Sequence, residues 1–333
     1  MPVGTRCANQ ILVFCSLFET TRPTQRVRST DHVIERENAG RSIQDAMKWL
    51  LLSAVCCWSL CADAQMDPAS PATVWKAVTY PVSGVVPDPS SDQQTGSEEG
   101  DIVGNASQSA LYTQFDNAGT PSTTDGTLGC RFRVGADKSP PGFAGDALVG
   151  LDVNRDGKLD FFVGVDNSGS AAQVGIWAAG TGANISPSTT TLANTTSLSL
   201  AETSLNYSWQ KVTSTSDPRT TNFDLDGHGE PDYFLSFTVP FSNLVAEASL
   251  LHLSLDENTP VYFVFATATQ PNSLNQDIAG VNGGLNSSSL WSALGMASDP
   301  VSPNGSVVPE PQSLVLGLTA LALFALWKSR GGG

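Results

Sequence analysis

Positive charge is scarce through the middle of this chain of 333 residues: between residues 65 and 310 there are 8 Lys and Arg against 26 Asp and Glu, a net of −18. The formal −15 of the whole chain understates this, because the two ends are basic or neutral. Such a balance repels nucleic acid and anionic headgroups and suits solubility and divalent cations, so nucleic-acid binding is excluded. Cysteine is equally sparse. Five of the six, Cys7, Cys15, Cys56, Cys57 and Cys61, precede Gln65, which leaves Cys130 without an intramolecular partner beyond that point. Histidine beyond residue 65 is limited to His228 and His252, and there is no Gly-x-Ser-x-Gly elbow, no His-Glu-x-x-His pair and no phosphate-cradling glycine loop. No enzyme is expected. His252 reads as a capping or surface residue, although the paired carboxylates of a glycosidase leave no trace in a single sequence.

What is present begins at the ends. Met47-Lys48 precedes an apolar run from Trp49 to Leu60 and then Ala62-Asp63-Ala64, a charge, a hydrophobic core and a small-x-small cleavage motif. Residues 47–64 are therefore expected to be a signal peptide cut after Ala64 by signal peptidase. Residues 1–46 have no periodicity or turn logic and read as a non-native upstream extension, with a long charged leader as the alternative. Trp58-Ser59-Leu60 ahead of Cys61 lacks the small residue a lipoprotein signal wants.

At the other end, Pro309-Glu310-Pro311 is followed by an apolar run from Leu314 to Trp327 and then by Lys328 and Arg330. Those 14 apolar residues make a helix of about 21 Å, short of a hydrocarbon core of about 30 Å. Lys328 and Arg330 close it on the side the positive-inside rule keeps cytoplasmic, and both can snorkel, so a membrane tether through 314–327 is expected. In these parts the sequence resembles the PEP-CTERM sorting signal, over residues 309–330, with a somewhat short helix and a three-glycine tail as departures. The resemblance implies recognition by an exosortase-type enzyme in a Gram-negative-type cell. It implies tethering during sorting, then placement in the envelope, at the surface or in the extracellular matrix, and nothing about the domain being sorted.

Between the ends, residues 65–296 read as one secreted β-rich domain and 297–308 as a linker. Short runs rich in Val, Phe, Tyr, Trp and Thr recur at 73–82, 130–134, 147–153, 159–165, 174–178, 206–212, 233–239 and 261–269. Runs of this length and spacing predict a mainly β domain, an antiparallel β-sandwich or jelly roll with one or two short helices. One helix is expected after Pro240, where Phe241, Leu244, Val245 and Ala248 fall on one stripe, and a second around Leu290, Trp291 and Leu294. Cys130, Phe132 and Val134 share a strand face opposite Arg131 and Arg133, which makes Cys130 a buried structural thiol. Residues 88–101 lack large apolar side chains and read as an exposed acidic loop.

Two segments 72 residues apart align without gaps, one from Asp152 to Val165 and the other from Asp224 to Phe237. Oxygen-bearing side chains at positions 1, 3, 5 and 9 around a glycine turn at position 6, with the position 7 carbonyl pointing inward, can converge on a hard cation. In the first copy these are Asp152, Asn154, Asp156 and Asp160, with Gly157 and the Lys158 carbonyl; in the second they are Asp224, Asp226, His228 and Asp232, with Gly229 and Glu230. The spacing resembles the DxDxDGxxD calcium loops of thrombospondin type 3, dockerin-like and FG-GAP-like modules, and implies Ca2+ as ligand. Val163 and Leu235 stand where an EF-hand has its bidentate Glu. His228 is a poor calcium ligand; shifting the frame to Asn222, Asp224, Asp226, Gly227 and Glu230 restores oxygen ligands. The aromatic pairs Phe161-Phe162 and Tyr233-Phe234 favour the unshifted frame. Ordinary polar turns explain the same residues through Asx bonding.

The reading is a surface or matrix structural or adhesive protein with a calcium-stabilised β domain. The alternative is a carbohydrate-binding module for extracellular polysaccharide, built on Trp75, Trp177, Trp209 and Trp291, and after it a polysaccharide-active enzyme.

Overall fold

Side chains on a strand alternate between faces, and the runs that alternate in this sequence are the ones that pair. The computed structural model describes residues 66–79, 88–94, 97–137, 142–169, 171–180, 182, 184, 192–271, 274, 276–280 and 298–305. Their strands are β1 (Lys76–Ala77), β2 (Leu111–Asp116), β3 (Thr127–Val134), β4 (Asp146–Asp152), β5 (Phe161–Asp166), β6 (Gln173–Ala179), β7 (Leu192–Ala201), β8 (Tyr207–Lys211), β9 (Tyr233–Pro240), β10 (Tyr262–Ala268) and β11 (Asp277–Ile278). A helix α1 (Phe241–Leu250) follows β9. The protein is mainly β, with two antiparallel sheets and, among the described residues, one α-helix. The sheets run in the orders β1-β2-β3-β9-β8 and β11-β10-β4-β5-β6-β7.

One large buried cluster takes side chains from both sheets: Cys130, Phe132 and Val134 of β3 and Leu235 and Phe237 of β9 from one, Val149 and Leu151 of β4, Val163 of β5 and Phe263 and Phe265 of β10 from the other. The rings of Phe132 and Phe265 meet edge to face, 5.1 Å between centroids, across the two sheets. Cys130 is buried as expected, and burial raises its thiol pKa far above the ordinary range, so it packs as a small apolar residue. The stripe predicted after Pro240 is α1: Phe241, Leu244 and Ala248 are buried and Val245 packs against the cluster.

Arg131 and Arg133 do lie on the opposite face of β3, but neither reaches solvent. Arg131 is held between the rings of Trp75 and Phe234, 4.2 and 4.8 Å from their centroids, and donates to the carbonyls of Pro68 and Ser70 and to Ser236 Oγ. The outer face is thus roofed by the segment from Met66 to Trp75; of the strand expected at 73–82, the described part, 73–79, holds the end of a short 3-10 turn and the two residues of β1, and 80–82 lie outside the described residues.

Three further expectations change. Of the acidic stretch 88–101, Asp88 and Asp101 are 2% and 0% exposed, because backbone amides and the edge of the second sheet enclose them. Residues 298–305, expected as linker, belong to the folded body: Val301 bridges Val261, Ser298 donates to Phe263 O and Asp299 to Thr79 O. Strands β2, β7 and β11 were not read from the sequence; β2 and β7 are rich in Thr, Ser and Gln, and β11 is two residues long. The upstream extension, the signal peptide with Ala62 and Ala64, the helix around Trp291, and Pro309, Glu310, Pro311 with the apolar run 314–327 all lie outside the described residues. Among the described residues no helix is long and apolar enough to cross a membrane.

Candidate metal sites

The two acidic loops enter the structure at matching places, each running straight into a strand: the first joins β4 to β5 and the second leads from β8 to β9. Their backbones turn at the same two positions. Position 4 has positive φ in both, Arg155 at 61° and Gly227 at 75°, and so has position 6, Gly157 at 85° and Gly229 at 90°. Such angles are costly for any residue with a Cβ, so Arg155 occupies a glycine's conformation.

The hydrogen bonds match too. The position 6 amide donates to the position 1 carboxylate at 2.9 Å in both loops, Gly157 to Asp152 Oδ2 and Gly229 to Asp224 Oδ2. The position 5 amide donates to the position 3 side chain, Asp156 to Asn154 Oδ1 (2.9 Å) and His228 to Asp226 Oδ1 (3.2 Å). The position 2 amide donates to position 9, Val153 to Asp160 Oδ2 (2.8 Å) and Leu225 to Asp232 Oδ1 (3.1 Å). The position 9 amide returns to the residue before the loop, Asp160 to Leu151 O and Asp232 to Phe223 O. The unshifted frame is therefore the structural one, and His228 occupies position 5.

In the first loop Lys158 donates its amide to Asp156 Oδ1, and Asn184 clamps Leu159 by a pair of bonds, accepting from its amide and donating to its carbonyl. Burial above all, with repulsion from Asp160 and Asp156, pushes the Asp152 carboxyl up to about 6 despite its amide bonds. Asp160 is raised by burial and by Asp156. Among the described residues no Lys, Arg or His lies at ion-pair distance from Asp152, Asp156 or Asp160.

The second loop is different in charge. Asp224, Asp226 and Asp232 each bring an oxygen within 4.8 Å of the other two, a closer gathering than Asp152, Asp156 and Asp160 form. One protein cation, Arg133, already sits against it, and the His228 ring lies beside it. Arg133 donates to Asp232 Oδ2 with neither side chain exposed, and His228 Nδ1 lies 3.3 Å from Asp226 Oδ2 and 3.2 Å from Glu98 Oε1. Burial still pushes Asp232 up to about 7 against the pull of Arg133. Glu230 is exposed. Closeness of carboxylates favours the second loop as a cation site, but uncompensated charge favours the first, and charge decides, since a bound metal must displace or tolerate Arg133 and His228 in the second. Arg133 is the residue that sequence reasoning missed here; its only signal was an Arg on an alternating strand.

Of the tryptophans, Trp75 and Trp177 are buried, and Trp209 stacks on Tyr233 at 4.9 Å with Phe143 on its other side at 5.8 Å. Their faces are used for packing. His252, at φ 60°, closes α1: its amide donates to Ser249 O and that of Leu253 to Ala248 O, the left-handed cap expected of a helix end.

Comparison with protein-family models, with curated proteins and with solved structures gives no match.

Proposed function

We propose that this is an exported structural or adhesive protein whose β-sandwich domain is stabilised by calcium at the first acidic loop and delivered by the C-terminal sorting signal to the envelope, surface or extracellular matrix. The observation that carries the calcium reading is the contrast between two loops of one backbone design. In the second, Asp232 is paired with Arg133 and Asp226 lies beside His228, whereas among the described residues no Lys, Arg or His stands at ion-pair distance from Asp152, Asp156 or Asp160 of the first, which presents them with Asn154. A hard cation with oxygen ligands fits that set, and the second loop, with Asp224, Asp226 and Asp232, binds more weakly. One shared core between two sheets, joined at Phe132 and Phe265, supports the sandwich.

Export and sorting rest on the sequence at Ala62, Ala64, Pro309, Glu310, Pro311 and the apolar run 314–327. Packing of Trp75, Trp177 and Trp209 weighs against a sugar-stacking platform, and no residue is assigned to catalysis. Two experiments test the reading. Melting the full chain with calcium and with chelator should separate the two curves; coincident curves would end the calcium assignment. In an exosortase-bearing host, Glu310→Ala or removal of Lys328 and Arg330 should leave the protein folded and mislocalised. Normal localisation of both would end the sorting assignment.

A further inference from the structure

Away from both loops, a second set of carboxylates meets at the seam between the sheets. Asp277 is on β11, at the edge of the six-stranded sheet. Asp101 heads a short segment that belongs to the five-stranded sheet: Ile102 bridges Val134 at the end of β3, Val103 donates to Arg133 O, and Gly135 donates to Asp101 O. Asp88 and Asp92 come from the stretch leading to Asp101. One oxygen each from Asp88, Asp92 and Asp277 lies within 4.8 Å of the others. Asp101 acts electrostatically on both Asp88 and Asp277.

Acidic clusters are common, and what distinguishes this one is oxygen atoms buried with nothing to bind. Asp88 is 2% exposed; its Oδ1 accepts from the Gly280 amide at 2.5 Å, and its Oδ2 meets no donor. Asp101 is fully buried; its Oδ2 accepts from the Ser91 amide at 2.8 Å, and its Oδ1 meets no donor. Asp277 Oδ2 accepts from the Ile102 amide at 2.5 Å. Burial first, and then neighbouring carboxylates, raise the Asp88 and Asp277 carboxyls well above the ordinary range, against the pull of backbone amides. A buried carboxylate oxygen that meets no donor costs several kcal/mol, and two of them, Asp88 Oδ2 and Asp101 Oδ1, lie here among further carboxylates, where a shared cation would satisfy both.

We propose that Asp88, Asp92, Asp101 and Asp277 form a calcium site that clasps the two sheets together at their seam. Calcium–oxygen bonds of about 2.3–2.6 Å place oxygens on opposite sides of the ion about 5 Å apart, which matches the 4.8 Å gathering of Asp88, Asp92 and Asp277, beside which Asp101 lies close enough to act on Asp88 and Asp277. Four carboxylate oxygens leave room for the two to four waters that complete a calcium shell, whereas magnesium gives up its waters reluctantly in a buried place. The remaining carboxylate oxygens are already oriented by the amides of Gly280, Ser91 and Ile102. The ion ties the stretch from Asp88 to Asp101 to β11, beside the bonds Gln94 N to Gln276 O and Thr267 Oγ1 to Gly100 O. The site does not rest on the reading of the first loop.

The test measures amide hydrogen exchange and the number of ions bound by the full chain, with calcium as the probe. In wild type, calcium at ten times the dissociation constant should slow exchange at Ile102 and Gly280 about tenfold where that exchange follows local opening. The same slowing should persist in Asp156→Ala, which disables the first loop alone. Asp277→Asn should abolish it and lose one bound ion while the response at Val153 and Gly157 is kept. Asp92→Asn, at a less buried position, serves if Asp277→Asn does not fold. Exchange at Ile102 and Gly280 indifferent to calcium in wild type overturns the site. So does an Asn variant that is more stable without metal and binds as many ions as wild type, since protons would then hold the cluster.

Discussion

Arg133 on β3 donates through Nε to Asp232 Oδ2 at 2.6 Å, its Nη2 lies 2.5 Å from the same oxygen, and neither side chain is exposed. The last carboxylate of the second loop is thereby tied to the central strand of the five-stranded sheet, and Arg133 reaches on to Asn222 O at 2.9 Å, at the loop's entry. One guanidinium holds both ends of a turn whose counterpart in the other sheet has, among the described residues, no Lys or Arg paired with its carboxylates.

Breaking that pair should be expensive. Asp232→Ala leaves a buried guanidinium facing a cavity, and Arg133→Met leaves a buried carboxylate, each costing about 3–5 kcal/mol. The double replacement should cost less than the sum of the two, because neither charge is left alone. Chemical denaturation of the four proteins measures the coupling; strictly additive losses would mean that the two side chains act independently.

At the first loop the expected response depends on which residue is changed. Asp156→Ala should remove most of the calcium stabilisation there, about 1.4 kcal/mol at about 1 mM calcium for a dissociation constant near 0.1 mM. Arg155→Ala should leave it intact. Arg155→Gly should raise stability with and without calcium, by about 0.5–1 kcal/mol, by relieving a positive φ at a residue with a Cβ. Melts with calcium and with chelator separate these effects, since one changes the gap between the curves and the other moves both.

Much of this frame was legible because it depends on alternation. Cys130, Phe132 and Val134 point inward as a period of two demands, and Phe241, Leu244 and Ala248 form the stripe of α1. The repeat gave the loop frame before any geometry, since the aromatic pairs that follow enter β5 and β9 in the same way. What alternation cannot say is what covers a strand's far face. Arg131 and Arg133 fall on the face opposite Cys130 as alternation places them, but they are buried there by Trp75 and by the second loop, contacts across 56 and 99 residues of chain. Asp88 and Asp101 looked exposed for the same reason, because Asp277 and Gly280, far along the chain, enclose them.

A cap offers a simpler check. His252 takes φ 60° at the end of α1, where glycine is preferred, and its side chain is exposed. His252→Gly should stabilise the protein by about 0.5–1 kcal/mol and leave any activity or ligand binding unchanged. A drop in melting temperature would show that the imidazole makes a contribution larger than the backbone strain.

The dependence of stability on pH should be governed in large part by Asp146, which is fully buried and lies directly across from Asp166 in the pairing of β4 with β5. Burial first, and the Asp166 carboxylate second, push Asp146 up to about 8. Asp166, although partial burial works against it, is held below its ordinary value by the hydrogen bond from Asp146, and by bonds from Gln173 and Ser168. Asp146 therefore keeps its proton at neutral pH, facing an ionised Asp166. In the unfolded chain Asp146 loses that proton near 3.8, so between that value and about 8 the folded state binds more protons than the unfolded one. Stability from this group is fully present below the unfolded value and falls as pH rises toward the folded one, with a slope of at most about 1.4 kcal/mol per pH unit. The lowered value of Asp166 works in the opposite sense, at more acidic pH. Asp146→Asn, whose amide can donate to Asp166 at any pH, should remove the loss between pH 5 and 8 that wild type shows in chelator, where metal does not add its own pH dependence. Denaturant midpoints at four pH values across that window decide it: wild type and Asp146→Asn falling in parallel would mean that Asp146 is ionised in the folded protein.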